Sequence, residues 1–341
     1  MAPAPQGSTI PSDDSLPLAP GAIGAAVVDV QARLSALGHS LEGDPTGQYG
    51  AATECAVTAF QRQRGLRVDG ICGHQTWNSL VEAGFRLGQR LLYHRAPMLR
   101  GDDVATLQRR LSALGFDTGR VDGIFGPQTA AAVTEFQRNT GLVVDSTCGR
   151  DTVAALERLG PRADTSPVAA DLRERLQLGM QPKSLRDRVI AIGERGDLAA
   201  LADELARRFR LHGAIPIVLH HLDESEQAAA ANAAGADLYL GLMLVAQRAA
   251  VMTAYFHHSA SGATSPAGRH LAALVHAAVV PIIGGQDLGA LGMGLAILRE
   301  TRMPAVVCEV GSTATVVEHL GALATALSSA VEGWVASPWM E

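Results

Sequence analysis

The stretch Leu107-Gln108-Arg109-Arg110-Leu111-Ser112-Ala113-Leu114-Gly115, followed after a short interval by Val121-Asp122-Gly123-Ile124-Phe125-Gly126-Pro127-Gln128-Thr129, decides how the first half of this chain folds. Val104, Leu107, Leu111 and Leu114 recur with a helical period and define one apolar face. Gly115 suits the position just past a helix, where positive φ is easy. Val121-Asp122-Gly123 is turn chemistry. Gly126-Pro127 opens a second helix, with proline in the first turn where no amide partner is needed, and that helix places Val133 and Phe136 one turn apart.

The same pattern occurs earlier. Val27, Val30, Leu34, Leu37 and Gly38 reproduce the first helix at an offset of 77 residues, and Gly50, Thr53, Val57, Phe60, Gln61, Gly65 and Asp69 reproduce the rest at an offset of 76. The one-residue difference falls in the loop between the helices, where an insertion is tolerated. Two copies of one small helical module follow, each closed by a third helix carrying Trp77 and Leu80 or Val153 and Leu156. The turn Val-Asp-Gly-x-x-Gly occurs at Val121 and Val68, with a weaker echo at Val144, so each module is pseudo-symmetric within itself. Asp102 or Asp103 is the expected cap of the second module's first helix.

Outward from the modules, the chain is long enough for two or three domains: 341 residues, 47% hydrophobic and only 4% aromatic, which predicts cores of Ala, Val and Leu. A net charge of −6 provides no basic field for nucleic acid or anionic lipid. No apolar run is read as membrane-spanning. The first twenty residues contain no Lys, no Arg and no apolar core, which predicts a Pro/Ser/Asp tail in place of an export signal, hence a cytoplasmic protein. Cys55, Cys72, Cys148 and Cys308 are expected as reduced, buried thiols; Cys72 and Cys148 occupy matching positions of the two modules. The organisation read from these signals is a tail over 1–23, modules over 24–82 and 101–160, a connector over 83–100 that packs between them, a linker over 161–184 and a third domain over 185–341.

That third domain alternates strands and helices. Strands are expected at 188–192, 215–219, 236–242, 254–257 and 304–311, helices at 198–211, 226–234, 265–279 and 316–335, and a glycine-rich loop at 285–294. The alternation predicts an α/β layer fold with a mostly parallel central sheet.

Two resemblances attach to these patterns. Leu-Gln-x-x-Leu-x-x-Leu-Gly, Val-Asp-Gly-x-Phe-Gly-x-x-Thr and Phe-Gln-x-x-x-Gly-Leu resemble the peptidoglycan-binding module of bacterial cell-wall hydrolases, a three-helix bundle. The resemblance implies affinity for peptidoglycan fragments or precursors, with Gln61, Asp69, Asp122 and Gln137 as candidate contacts. The same residues also read as turn and cap residues serving the fold, and Phe60 and Phe136 as core. In the second half, Asn232, Ala236-Asp237-Leu238 and the run from Leu298 to Gly311 resemble the zinc-dependent N-acetylmuramoyl-L-alanine amidases. Such enzymes hold zinc with a His after the first strand, a Glu on the next loop and a His ending the third strand, and use a carboxylate on the last strand as general base. Here Arg195 stands at the first His position, Met243 at the second, and Glu194 is a poor substitute for the loop Glu. Glu309 alone keeps its family position. Arginine is a permanent cation without a lone pair for a metal, and methionine is a soft ligand unsuited to hydrolytic zinc. No cofactor is therefore expected, and Arg195 is expected to pair with Glu309. His220-His221 and His257-His258 are adjacent strand residues pointing to opposite faces, and read as surface or locally bonded histidines.

Taken together, two modules, an amidase-like domain without its zinc ligands, and the connector Leu91-Leu92-Tyr93-His94-Arg95 resemble the CwlM-like proteins of actinobacteria. What that resemblance implies is a catalytically silent regulator of peptidoglycan precursor synthesis. It would contact a cytoplasmic cell-wall synthesis enzyme and a Ser/Thr kinase, with no nucleic acid and no transmembrane segment. The alternative is an active amidase cleaving the bond between N-acetylmuramic acid and L-alanine, with zinc.

Overall fold

The computed structural model describes residues 16–159, 174, 176, 178–220, 223–244, 250–258 and 261–339. The expected tail over 1–15, most of the expected linker and His221 lie outside the described residues. The chain divides into two compact units, Met1–Ala169 with Ser259–Ala263, and Ala170–His258 with Thr264–Glu341.

The first unit holds six helices among its described residues: α1 (Ala25–Ala36), α2 (Ala51–Arg64), α3 (His74–Ala83), α4 (Asp102–Ala113), α5 (Pro127–Thr140) and α6 (Arg150–Leu159). The punctuation works as its chemistry requires. Gly65 and Gly141 end α2 and α5 in the left-handed region, at φ 63° and 71°. Pro127 occupies the first turn of α5. Each module has its own core. Val27, Val30, Leu34, Val57, Phe60 and Leu80 fill the first, Val104, Leu107, Leu111, Val133, Phe136 and Leu156 the second. Burying each such side chain contributes about 1.5–3 kcal/mol, so these rows hold the bundles together.

Several expectations are corrected here. Leu16 and Leu18 pack on the first core, and Leu18 pairs with Cys72 through two backbone hydrogen bonds, so the first module begins ahead of residue 24. The connector does the same for the second module. Leu92 is fully buried in that module's core and pairs with Cys148, so this segment completes the second module; it is not a spacer between the two. Neither Asp102 nor Asp103 caps α4; Gly101 is the N-cap residue. The two carboxylates are engaged elsewhere, Asp102 in a two-point bond with Arg64 at 2.8 and 2.9 Å, Asp103 with Arg90 at 2.7 Å. All four cysteines are free thiols, but Cys55 is exposed on α2; only the other three are buried. Burial pushes the thiols of Cys72, Cys148 and Cys308 up to about 12.

In the second unit the strands are β1 (Val189–Arg195), β2 (Ile215–Leu219), β3 (Leu238–Met243), β4 (Ala250–His258), β5 (Ala263–Thr264), β6 (Gln286–Met293) and β7 (Ala305–Val310). They form one mixed, mostly parallel sheet in the order β2-β1-β3-β7-β4-β5, with β6 also paired to β4. β4 runs antiparallel to β7 and is longer than its four-residue expectation. The glycine-rich segment expected as a loop is β6. It pairs in parallel with β4 across a bulge at Leu288, where Gly289 takes φ 84°. Glycines carry no apolar alternation, so period-two reading passes over such a strand.

Helices α7 (Ala199–Leu211), α9 (Pro266–Ile283) and α11 (Thr313–Ala336) share the main core with Ile190, Ile192, Leu240, Leu242, Val306 and Cys308. α9 and α11 are long and apolar enough, by length and composition, to cross a membrane, which corrects the reading that no apolar run reaches that length. Leu271, Val275 and Val279 of α9 and Leu323, Leu327 and Trp334 of α11 lie in this core. The opposite sheet face presents Gly193, Tyr239, Gly241 and Val307 to α8 (Glu224–Ala233) and α10 (Ala296–Glu300).

Candidate functional site

The helical modules are built around one repeated polar device. In each half of each module a helix sends a buried glutamine into the turn ahead of the next helix. Gln137 donates to Asp145 Oδ1 at 2.8 Å, to the Thr147 carbonyl at 2.9 Å and to Thr152 Oγ1 at 3.2 Å, while its Oε1 accepts from the amides of Asp145 and Ser146. Gln61 repeats this with Asp69, Ile71, Thr76 and Gly70, and Gln108 with Asp122, Ile124, Thr129 and Gly123. Gln31 is the fourth copy; it bonds Gln48, Thr53 and Gly47. Its turn has Thr46 in place of the aspartate, and Asp44 instead accepts from the amides of Gly50, Ala52 and Thr53.

This geometry reassigns the candidate contacts. Gln61 and Gln137 are 1% and 2% exposed with both ends of the amide bonded internally, so neither can meet a ligand without opening the module. Asp69 and Asp122 each hold a clamp glutamine and a turn amide two residues on. Their role is to fix the turns. The signal for the full set was a helix glutamine followed by a threonine in the first turn of the next helix, 15 residues on for Gln61 and Gln137 and 21 or 22 for Gln108 and Gln31.

In the amidase-like domain the three positions carried over from the zinc enzymes come together. Arg195 pairs in register with Met243 on β3, and Met243 with Glu309 on β7. Side chains in register on parallel neighbours point the same way, so Arg195, Met243 and Glu309 form one row at the carboxyl ends of three parallel strands, where α/β folds place their sites. The neighbouring row, Leu242 and Cys308, belongs to the core on the other face.

The partners differ from expectation. Arg195 donates to Glu224 Oε1 at 2.7 Å in place of the expected pair with Glu309. Glu224 comes from the first turn of α8, and its other oxygen accepts from the Ile297 amide. Glu309 is 5% exposed. Glu194 accepts from the Leu198 amide at 3.1 Å and faces His220 Nδ1 at 2.9 Å, which ties the end of β1 to the start of α7. Below the row, Tyr239 donates to Gln227 Oε1 at 2.6 Å, and burial pushes its phenol well above the usual range. Gly193 makes room for both: a Cβ there would sit 1.9 Å from Tyr239 Oη and 2.4 Å from Gln227 Oε1. Glu224, Gln227 and Tyr239 escaped sequence reading because a helix following β2 brings two of them in, and because nothing local marks Tyr239, which is in register with Ala191, as filling the space beside Gly193.

Against zinc, this donor set does not fit. The row offers a guanidinium, a thioether and one carboxylate, and the guanidinium is held by Glu224. Among the described residues no group of three or more His, Cys, Asp or Glu side chains gathers to hold a metal.

Around the cleft, the residues that carried the amidase resemblance hold the scaffold. Asn232 donates to the Glu300 carbonyl and accepts from the Arg302 amide. Asp237 accepts from the Val189 amide at 2.8 Å and so fixes β3 beside β1.

Comparison with known proteins agrees with both halves. The family model described as a putative peptidoglycan binding domain matches residues 23–80 and 100–156. N-acetylmuramoyl-L-alanine amidase CwlM of Mycobacterium tuberculosis is 40% identical over 324 residues, covering 84% of this chain and 80% of that protein. N-acetylmuramoyl-L-alanine amidase CwlL of Bacillus licheniformis is 36% identical over 160 residues, covering 41% of this chain and 44% of that protein. Among solved structures, an N-acetylmuramoyl-L-alanine amidase from Clostridium difficile 630 aligns with a TM-score of 0.38 at 17% identity, over 45% of this chain and 98% of that one. The chain belongs to the CwlM family, with two peptidoglycan-binding modules ahead of an amidase-like α/β domain.

Proposed function

We propose that this protein is a peptidoglycan-binding, catalytically silent amidase homologue that regulates precursor synthesis in the cytoplasm through contacts with a cell-wall synthesis enzyme, under Ser/Thr kinase control. The observation that carries the reading is the row Arg195, Met243, Glu309. A cation bonded to Glu224 and a thioether stand where a hydrolytic zinc needs two imidazoles. A site of that composition has no means of polarising an amide carbonyl through a metal. The cleft instead presents a shaped surface, while the modules supply affinity for muropeptide or precursor.

The second reading, an active amidase, draws on the printed names of the relatives and on the retained Glu309. The experiment that separates the two is metal content with activity on the purified full chain. Zinc absent and peptidoglycan left uncleaved supports the silent reading. One zinc per chain, with release of muropeptide that a chelator abolishes, overturns it.

A further inference from the structure

The second module carries a longer loop than the first between the same two backbone anchors, and the fold does not need the excess. In the first module Leu18 pairs with Cys72, and the Ala22 carbonyl accepts from the Tyr49 amide at 2.9 Å. Three small residues, Ala19-Pro20-Gly21, join the two anchors. In the second module Leu92 pairs with Cys148, and the Leu99 carbonyl accepts from the Phe125 amide at 2.8 Å. Here six residues, Tyr93-His94-Arg95-Ala96-Pro97-Met98, make the connection, and all six are exposed.

The chemistry changes along with the length. Leu91, Tyr93 and Met98 are 60%, 41% and 39% exposed. Leu91 and Met98 lie beside Gly149 and Gly126, just ahead of α6 and α5. The side chains of Tyr93, His94 and Arg95 make no hydrogen bond, ion pair or ring contact among the described residues. From Ala83 to Gly101 the chain has four arginines and no Asp or Glu, against a net charge of −6 for the whole. Arg90 is taken by Asp103, whereas Arg95 is left to solvent. Six consecutive exposed residues enclose no concave floor, which a small ligand needs. An anionic membrane is held by clusters of about four to eight cations, which this loop lacks. Tyr, Met and Arg are the residue types that anchor protein interfaces. A loop pinned at both ends loses little freedom on docking, and its unpaired guanidinium selects a carboxylate.

We propose that the 93–98 loop of the second module is a protein-docking element that enters an apolar groove edged with Asp or Glu on a partner. This rests on the regulatory reading above and names the surface through which the partner is held. The test is co-precipitation with the full chain from its native cytoplasm, followed by calorimetric titration of the identified, purified partner. A photo-reactive phenylalanine in place of Tyr93 should cross-link that partner at a segment containing Asp or Glu, and the same group in place of Pro20 should not. Arg95→Glu and Tyr93→Ala should each weaken binding by about tenfold or more, with Arg95→Lys retaining most of it. Reversing the cross-linked carboxylate to Lys should restore binding to the Arg95→Glu chain. Each variant of this chain should melt within about 2 °C of wild type, since the altered side chains have no partner in the fold. A partner that binds wild type, Arg95→Glu and Tyr93→Ala equally overturns this proposal and leaves the regulatory reading standing. Sedimentation of the full chain with phosphatidylglycerol vesicles, abolished by Arg95→Glu, gives the loop to a membrane and also overturns it. A full chain that co-precipitates no cell-wall synthesis enzyme overturns the regulatory reading as well.

Discussion

The two halves of this molecule treat their inherited polar residues in opposite ways. In the helical half one device, a buried glutamine gripping the turn ahead of the next helix, is present four times, and every copy is satisfied by its own module. In the amidase-like half the polar residues that hold the scaffold, Asp237 on Val189 and Asn232 on the 300–302 segment, are in place, while the cleft row carries different chemistry from the zinc enzymes it resembles. A residue that the fold needs is expensive to replace wherever it sits. A residue that serves only a reaction carries no such constraint from the fold. The contrast therefore separates architecture from chemistry within one chain, and it can be challenged at graded depth.

The largest effect should come from a clamp. Gln137→Leu strands the amides of Asp145 and Ser146 and removes three donated bonds from a site 2% exposed. Each stranded group costs about 1–3 kcal/mol, so the second module should lose roughly 3 kcal/mol or more, read as its denaturation midpoint by circular dichroism. A loss below about 1 kcal/mol would mean that the clamps are ornamental and the contrast fails on the helical side.

Next comes the floor of the cleft. Gly193→Ala places a methyl against Tyr239 and Gln227, and should cost about 1–3 kcal/mol as overpacking. Tyr239→Phe in the same chain should recover part of it by removing the crowded hydroxyl. If Gly193→Ala is silent, the filled floor described here is wrong.

Smaller still is the ion pair in the row. Arg195 is 42% exposed at its side chain, so solvent screens its bond to Glu224. Arg195→Met should cost no more than about 1 kcal/mol, shrinking further in high salt. A loss of several kcal/mol would make Arg195 an architectural residue.

Acid gives the gentlest probe. The amide of Thr147 and the side chain of Gln137 hold the Asp145 carboxyl below its ordinary value of 3.8, and the side chain and amide of Thr53 do the same for Asp44. A depressed carboxyl contributes stability that is present above the unfolded value and fades as pH falls through the folded one. Module stability should therefore be flat above pH ~5 and decline below pH ~4. Asp145→Asn should remove part of that decline, as followed by midpoint against pH.

How much of this was legible in the sequence follows from the same division. The six module helices were readable because apolar spacing, Gly115, Gly141 and Pro127 all act within a few residues of the structure they set. The cleft row was legible through the amidase resemblance, which carried Arg195, Met243 and Glu309 over position by position, while the strands read from pattern, 188–192 and 236–242, stopped short of the first two. Glu224 as the partner of Arg195 was not readable, because that contact depends on how α8 returns over the sheet. Strand β6 was missed because glycine hides a period of two. The roles of Asp102 and Asp103 were misassigned because Arg64 and Arg90 reach them from other segments and take both carboxylates.

The most direct measurement is zinc binding to the purified full chain, by elemental analysis after zinc loading and dialysis, with Arg195→His/Met243→His as the comparison. The account predicts no stoichiometric zinc in the natural chain and a gain of zinc when two imidazoles return to the row beside Glu309. One tightly held zinc in the natural chain, removed by chelator together with cleavage of peptidoglycan, would contradict it.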